Sequence, residues 1–218
     1  MPRSLLLLIL VLALSATACG GDDKDGDEGD DGSMTAEPAG TMFVPPTGVV
    51  APNDPVGLGI RSLVTAATAG NTAAIERAIL YSPVPCTTEA SGIGGPPLCR
   101  EGEELGTPVD VVFATTCEGY FARRGELALD QIDFGAPATG EVLYGLYEID
   151  EASQLARVEA WAGATHAVVL NTTAPTDAVL PYVFITNGAN VVGTATGCGE
   201  SPEEWVASQS LGEPIELP

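Results

Sequence analysis

After a Pro- and Gly-rich stretch, apolar residues recur at helical spacing and predict two short helices. On one face of the first predicted helix lie Ile60, Leu63, Val64 and Ala67. Asp54 and Pro55 fit its start, because Asp caps free N–H groups and Pro suits the first helical position. We expect Gly70 to end it and Asn71 or Thr72 to cap the second helix. That helix places on one side Ile75, Ile79 and Leu80.

Farther along the chain the pattern changes to runs of branched and aromatic residues, which are typical of β-strands. The predicted strands cover residues 109–115, 141–149, 157–161, 165–171, 179–186 and 189–196. The segment 118–133 is ambiguous, and a short helix is predicted at 126–131. Asn187-Gly188 predicts a two-residue hairpin loop. Such a loop sets Phe184 opposite Val191, Val183 opposite Val192 and Tyr182 opposite Gly193.

Helices followed by a meander of antiparallel strands predict an α+β domain. The segments that carry a family resemblance are AATAGNTAAIERAI, YGLYEI, THAVVLN and YVFITNGANVV. Over residues 54–196 the chain resembles nuclear transport factor two-like (cystatin-like) domains. The resemblance implies N-terminal helices packed on a curved antiparallel sheet, a cystatin-like cone that can leave a pocket on its concave side. That fold hosts many functions, so the resemblance supplies none.

The N-terminus reads as an export signal. Leu5 to Leu14 is an unbroken apolar run behind Arg3, shorter than the roughly 20 residues of a membrane-spanning helix. The alternative is a buried helix. The box Ala16-Thr17-Ala18-Cys19 (residues 16–19) resembles the end of bacterial lipoprotein signals, although leucine is usual where Ala16 stands. The resemblance implies removal of residues 1–18 and lipid, including palmitate-type acyl chains, on the thiol and amine of Cys19. Several acyl chains anchor a protein firmly to a membrane.

Residues 19–52 are predicted to form an extended tether. Seven acidic residues and one lysine lie between Cys19 and Ser33, and all the others are glycine. Such a segment repels itself and has no apolar surface to bury. The alternative is a calcium loop, since Asp23, Asp25 and Asp27 have suitable spacing. However, the later positions of such a loop need a glycine and a glutamate that this chain lacks.

Charge limits the choice of partners. Beyond Gly32 there are 23 acidic residues against six arginines, a net charge of −17. A surface of this sign repels nucleic acid and anionic lipid headgroups, so neither is an expected partner. The sequence shows no motif for a cofactor, and we predict none.

Four cysteines remain when Cys19 is set aside, an even number that indicates disulfides in an exported chain. Three pairings are open, of which Cys86–Cys99 and Cys117–Cys198 are favoured. The first closes a Gly- and Pro-rich loop that lacks a core of its own. A zinc site is the rival, but no CxxC pair is present, and we predict no metal.

His166 is the only histidine, and it is the one candidate for a general base. Its predicted strand places it on the same face as Ala164, Val168 and Leu170. A carboxylate partner is required to orient it, and Asp133 and Glu148 are the candidates. The alternative is favoured, in which His166 is a hydrogen-bonded residue with a structural role only.

Arg123 and Arg124 form the only basic pair in this acidic domain and could hold an anionic ligand, with Tyr120 stacking beside them. Pairing with acidic neighbours is favoured over that role. The expected acidic partners are Glu118, Glu126 and Asp130. A second acidic run, near Cys99, is expected to be a solvated loop: Glu101, Glu103 and Glu104.

Together these features predict a bacterial cell-envelope protein that is anchored by lipid on Cys19. Residues 1–18 are the signal peptide, 19–52 the tether and 53–218 a single disulfide-braced α+β domain. The predicted activity is non-enzymatic binding of a small ligand or an envelope protein. The alternative is an enzyme that uses His166 as general base.

Overall fold

A computed structural model of the chain describes residues 54–90, 94–134, 141–174, 176–188 and 190–217. The predicted signal peptide, Cys19 and the tether lie outside these residues. The described helices and strands are α1 (Pro55–Thr68), α2 (Thr72–Ala78), β1 (Ser82–Pro85), β2 (Pro108–Thr115), β3 (Gly119–Arg123), β4 (Leu143–Glu148), β5 (His166–Thr173), β6 (Val179–Thr186), β7 (Val191–Thr196) and α3 (Pro202–Ser208). The chain is therefore α+β, as predicted.

The two N-terminal helices begin at the predicted caps. The Asp54 carboxylate accepts a hydrogen bond from the Val56 N–H at 3.2 Å, and the Asn71 side chain accepts one from the Ala74 N–H at 3.0 Å. Gly70 has a φ of +62°, which a glycine adopts without strain after a helix end. The prediction for Leu80 was wrong, because α2 ends at Ala78 and Leu80 is 45% exposed.

The seven strands form one mixed sheet. Its order is β1-β2-β7-β6-β5-β4, and β3 pairs with β2. All neighbouring strands are antiparallel except β2 and β7, which run parallel with Phe113 opposite Gly193. The expectation of an antiparallel sheet was therefore wrong at this pair. The hairpin with β6 sets the direction of β7, and β2 runs in this same direction. Local hairpin signals carry no information on such a long-range pairing.

Two segments differ from their predicted structure. The ambiguous segment 118–133 contains strand β3, and the helix predicted at 126–131 is only a short 3₁₀ turn, Leu129–Gln131. The predicted strand at 157–161 is a pair of 3₁₀ turns, Leu155–Arg157 and Glu159–Trp161. These turns direct the Trp161 indole onto Gly193, where a Cβ would clash, and its N–H donates to the Phe113 carbonyl at 3.3 Å. Tertiary packing overrides the strand propensity here.

The β6–β7 hairpin lies where Asn187-Gly188 predicted it, but its register was predicted wrongly. Phe184 pairs with Thr194, Val183 with Ala195 and Tyr182 with Thr196. The register shifts near Thr186, and the Asn187 N–H donates to the Asn190 carbonyl. A Cβ on Gly188 would lie 2.9 Å from Cγ2 of Val56. The hairpin tip therefore packs against the start of α1, and this contact accompanies the longer turn.

Both faces of the sheet are covered. On one face, which we call the helix-covered face, α1 and α2 pack against the apolar residues Val168, Leu170 and Phe184. On the other face, Trp161 and the α3 residue Trp205 pack against four apolar strand residues: Val169, Val183, Ile185 and Ala195. Sequence analysis missed α3, whose signal is a capping box. In this box the Ser201 side chain and the Glu204 side chain each bond the other residue's backbone N–H.

Two disulfides brace the domain. Cys86 pairs with Cys99 and Cys117 with Cys198, with Cα–Cα separations of 4.9 and 5.0 Å. These are the two pairs that the sequence favoured. The first joins cysteines at a sequence separation of 13 residues. The second joins the ends of β2 and β7, the parallel pair, across a sequence separation of 81 residues.

Candidate functional site

A cavity of about 390 Å³ opens on the helix-covered face, between the sheet and the segment 127–133. We call it the threonine cavity, because threonines from β2, β5, β7 and the residue after β2 line it: Thr115, Thr116, Thr172, Thr173, Thr194 and Thr196. The cavity lies where β2, β5 and β7 end and β6 begins. Side chains two residues apart on a strand share a face, which explains why Thr194 and Thr196 both border it.

The inner part of the threonine cavity is buried and largely apolar. Ala114, Leu127 and Tyr182 are at most 6% exposed. The Tyr182 ring meets Phe134 edge-on at 5.3 Å and Phe184 at 5.1 Å. These aromatic contacts fix the floor of the cavity. Burial raises the pKa of the Tyr182 phenol, so this group is neutral at any physiological pH.

Hydrogen bonds within the protein engage the inner hydroxyl groups. The Thr172 hydroxyl donates to the Leu180 carbonyl at 3.0 Å. The side chains of Tyr182 and Thr194 hydrogen-bond to each other. Because the Thr172 hydrogen is used in this way, its oxygen presents lone pairs as acceptors to the cavity.

The outer part of the cavity is exposed and carries charge of one sign. Tyr120, Gln131 and Asp133 border it and are exposed. Asp133 is the one charged residue among those that line it in the described structure, and no lysine, arginine or histidine is among them. Burial, with a contribution from Glu126, raises the pKa of the Tyr120 phenol.

The wall of the cavity includes a strained residue. Ala128 has a φ of +48°, in the left-handed region, which costs a non-glycine residue about 1–2 kcal/mol. Such strain is concentrated at functional sites, where surrounding contacts hold the backbone in place.

His166 is placed away from this cavity. It begins β5 opposite Glu148 and Thr186 on the neighbouring strands, and Thr172, which lines the cavity, lies six residues on, about 20 Å along a strand. The His166 ring nitrogen Nδ1 is 2.8 Å from the Thr165 hydroxyl oxygen. Burial lowers the pKa of the imidazole, against the opposing effect of Glu148 and Asp54. Of its two candidate partners, the fold brings Glu148 near it, whereas Asp133 borders the threonine cavity.

The arginine pair is engaged within the protein. Both terminal nitrogens of Arg123 donate to the Glu103 carboxylate at 2.7 Å, and one also donates to the Leu98 carbonyl. The Arg123 guanidinium, followed by the Arg100 backbone N–H, lowers the pKa of Glu103 to about 2. Glu103 was expected to be solvated, and the pairing of Arg123 was expected with nearer acids. The segment between Cys99 and β2 brings Glu103 to this position, although the two residues are 20 apart in sequence.

Arg124 and Tyr120 have separate roles. The Arg124 guanidinium lies 4.2 Å from the centre of the Tyr81 ring, a cation–π contact. Alternation along β3 turns Tyr120 toward the threonine cavity, so Tyr120 is the member of the predicted trio that lines it. Sequence analysis missed the threonines. The sequence did contain a signal for them. Thr172 and Thr194 are polar, branched residues at core-facing positions of strands that are otherwise apolar.

Among the helices of the described residues, none has the length and apolar character needed to cross a membrane. In comparisons with known proteins, no family model, no curated protein sequence and no solved structure matches the chain.

Proposed function

We propose that this protein is a lipid-anchored protein of the bacterial cell envelope that binds a small ligand in the threonine cavity without catalysing a reaction on it. The observation that carries the binding role is the cavity. Its volume of about 390 Å³ falls within the range of roughly 300–1,000 Å³ that is typical of small-molecule sites. Its apolar interior with a few placed hydroxyl groups is also typical of such sites.

The proposal includes a cystatin-like cone, in which helices lie on the concave side of a bent sheet and leave a pocket beside them. A cavity on the helix-covered face supports this arrangement. The strained backbone at Ala128 in its wall also supports a functional role.

The geometry gives the enzyme alternative no support. A general base must reach the reacting proton, and His166 is about a strand length from the cavity. The histidine also has the Thr165 hydroxyl beside it, which agrees with a structural role.

Binding is tested with N-phenyl-1-naphthylamine, a small neutral probe whose fluorescence rises in apolar surroundings. We expect saturable binding to the protein. Tyr120→Ala should weaken it about two- to tenfold, because an aromatic contact contributes about 0.5–1.5 kcal/mol. Tyr144→Ala is the matched control, since Tyr144 is 38% exposed against 40% for Tyr120 and does not line the cavity. Absence of saturable binding, or equal effects of the two variants, contradicts the proposal.

The lipid anchor is tested in a bacterial host that processes lipoproteins. Cys19→Ala should move the protein from the membrane fraction to the soluble fraction, because the thiol that takes the acyl chain is lost. Mass spectrometry of the purified protein should find acyl chains on residue 19 as the new N-terminus. Unchanged membrane association of the variant contradicts acylation at this residue.

A further inference from the structure

The polar groups around the threonine cavity favour one chemical class of ligand. We propose that the cavity binds a small primary amine in its ammonium form, with an apolar body that enters the buried part. This proposal rests on the proposed function, since it assigns the ligand of the same cavity. Three independent observations carry it: the charge at the opening, the engagement of the arginine pair and the hydrogen bond that Thr172 donates within the protein.

The charge at the opening is negative. Asp133 borders the cavity and is exposed, and it is the charged residue among the described lining side chains. The chain as a whole has a net charge of −22, which attracts small cations and repels anions over long distances. The local carboxylate and the overall field therefore act in the same direction.

The side chains of the basic pair are held elsewhere. Arg123 makes a two-pronged ion pair with Glu103, in which the Arg123 side chain is only 11% exposed. Arg124 lies over the Tyr81 ring. Neither lines the threonine cavity, so a carboxylate or phosphate ligand finds no positive partner among the described lining residues.

The inner polar groups include an acceptor. The Thr172 hydroxyl donates its hydrogen to the Leu180 carbonyl, so its oxygen is left to accept, and Tyr182 and Thr194 are joined by a hydrogen bond of their own. An ammonium group carries three N–H donors and no acceptor, which complements such a surface. A quaternary ammonium ion has no N–H to donate, so the hydrogen-bonding pattern favours the primary amine. Leu127, Ala114 and the Tyr182 ring supply the apolar contact for its body.

The test is displacement of bound N-phenyl-1-naphthylamine from the full-length mature protein at 0.15 M salt. Three competitors share one phenyl group and a similar chain but differ in charge: 2-phenylethylammonium, 2-phenylethanol and phenylacetate. We expect the ammonium compound to displace the probe at about fivefold lower concentration than the alcohol, the upper range for a partly exposed ion pair. Phenylacetate should be the weakest competitor.

Two variants separate the local carboxylate from the overall field. Asp133→Asn and Asp130→Asn change the net charge equally and lie three residues apart, but only Asp133 lines the threonine cavity. We expect Asp133→Asn to remove the preference for the ammonium compound and Asp130→Asn to keep it. Circular dichroism checks that both variants are folded.

The outcomes separate this inference from the proposed function. Failure of N-phenyl-1-naphthylamine to bind overturns both. Probe binding with equal displacement by the three competitors, or equal behaviour of the two Asp→Asn variants, overturns the amine assignment and leaves the binding function in place. Displacement by benzyltrimethylammonium at the concentration that suffices for 2-phenylethylammonium also overturns it, because that cation donates no hydrogen bond.

Discussion

The two ends of the helix-covered face differ in how completely side chains fill the space above the sheet. At the α1 end, Ile60 and Leu63 close around the hairpin turn, and the remaining void measures about 10 Å³. At the other end the threonine cavity measures about 390 Å³. A void of 10 Å³ is at the lower limit for a single water molecule, whereas the larger volume accommodates an organic ligand.

The difference follows from side-chain size and chemistry on the same strands. β6 places Phe184 toward the α1 end, while β5 and β7 end in threonines at the cavity. Protein interiors are normally packed at crystal-like density, so a large space that is lined by short side chains is a feature that the sequence specifies. One end of the face is closely packed, and the other is where we propose that a ligand binds.

The largest expected effect comes from the disulfide at the cavity end. The Cys117–Cys198 bridge spans 81 residues and the Cys86–Cys99 bridge spans 13. In the chain-entropy model, their removal costs about 4.5 and 2.9 kcal/mol respectively. We therefore expect the paired Cys→Ser change at 117 and 198 to lower the free energy of unfolding in urea more than the change at 86 and 99. The reverse order would show that the parallel pair is held mainly by its other contacts.

Packing at the α1 end should be the next most sensitive feature. Ile60 is fully buried, and Ile60→Ala should cost about 3 kcal/mol through lost burial and a new cavity. Thr196→Ala, at the rim of the threonine cavity, should cost less than about 1 kcal/mol, because Thr196 is only partly buried. Urea denaturation measures both. Similar losses would mean that the two ends are packed alike.

A smaller and pH-dependent effect is expected from the Arg123–Glu103 ion pair. The pKa of Glu103 is about 2 in the folded protein, below its ordinary value of 4.5. Its contribution to stability is therefore fully present above pH 4.5 and is lost as the pH falls toward 2. Glu103→Gln should lower the melting temperature by a few degrees at pH 7.

The difference between the native protein and Glu103→Gln should shrink progressively between pH 4.5 and 2. Glu101→Gln changes the same charge in the same loop, where Glu101 is exposed, and serves as the control. Parallel pH profiles for the native protein and both variants would show that the Arg123–Glu103 pair contributes nothing.

Local signals predicted local structure. Asp54 and Asn71 fixed the helix starts because their caps depend on neighbouring residues alone. Long-range contacts were not predictable in this way. The parallel pairing of β2 with β7, the turns that bring Trp161 onto Gly193 and the hairpin register near Val56 each depend on elements distant in sequence.

The same division applies to the candidate site. The sequence pointed to Tyr120 through its neighbour Arg123, but Arg123 is held by Glu103, which follows the disulfide loop. The threonines come from three strands and meet only in the folded sheet. His166 was a candidate because it is the only histidine. Residue type alone does not predict that the cavity lies at the opposite end of its strand.

The central claim, that a ligand enters the space beside the threonines, is tested most directly by nuclear magnetic resonance on protein with ¹³C-labelled threonine methyl groups. N-phenyl-1-naphthylamine should shift the signals of Thr172 and Thr194 and leave those of Thr65 and Thr107, which do not line the cavity, unchanged. Unchanged Thr172 and Thr194 signals in the presence of saturating probe would contradict the claim.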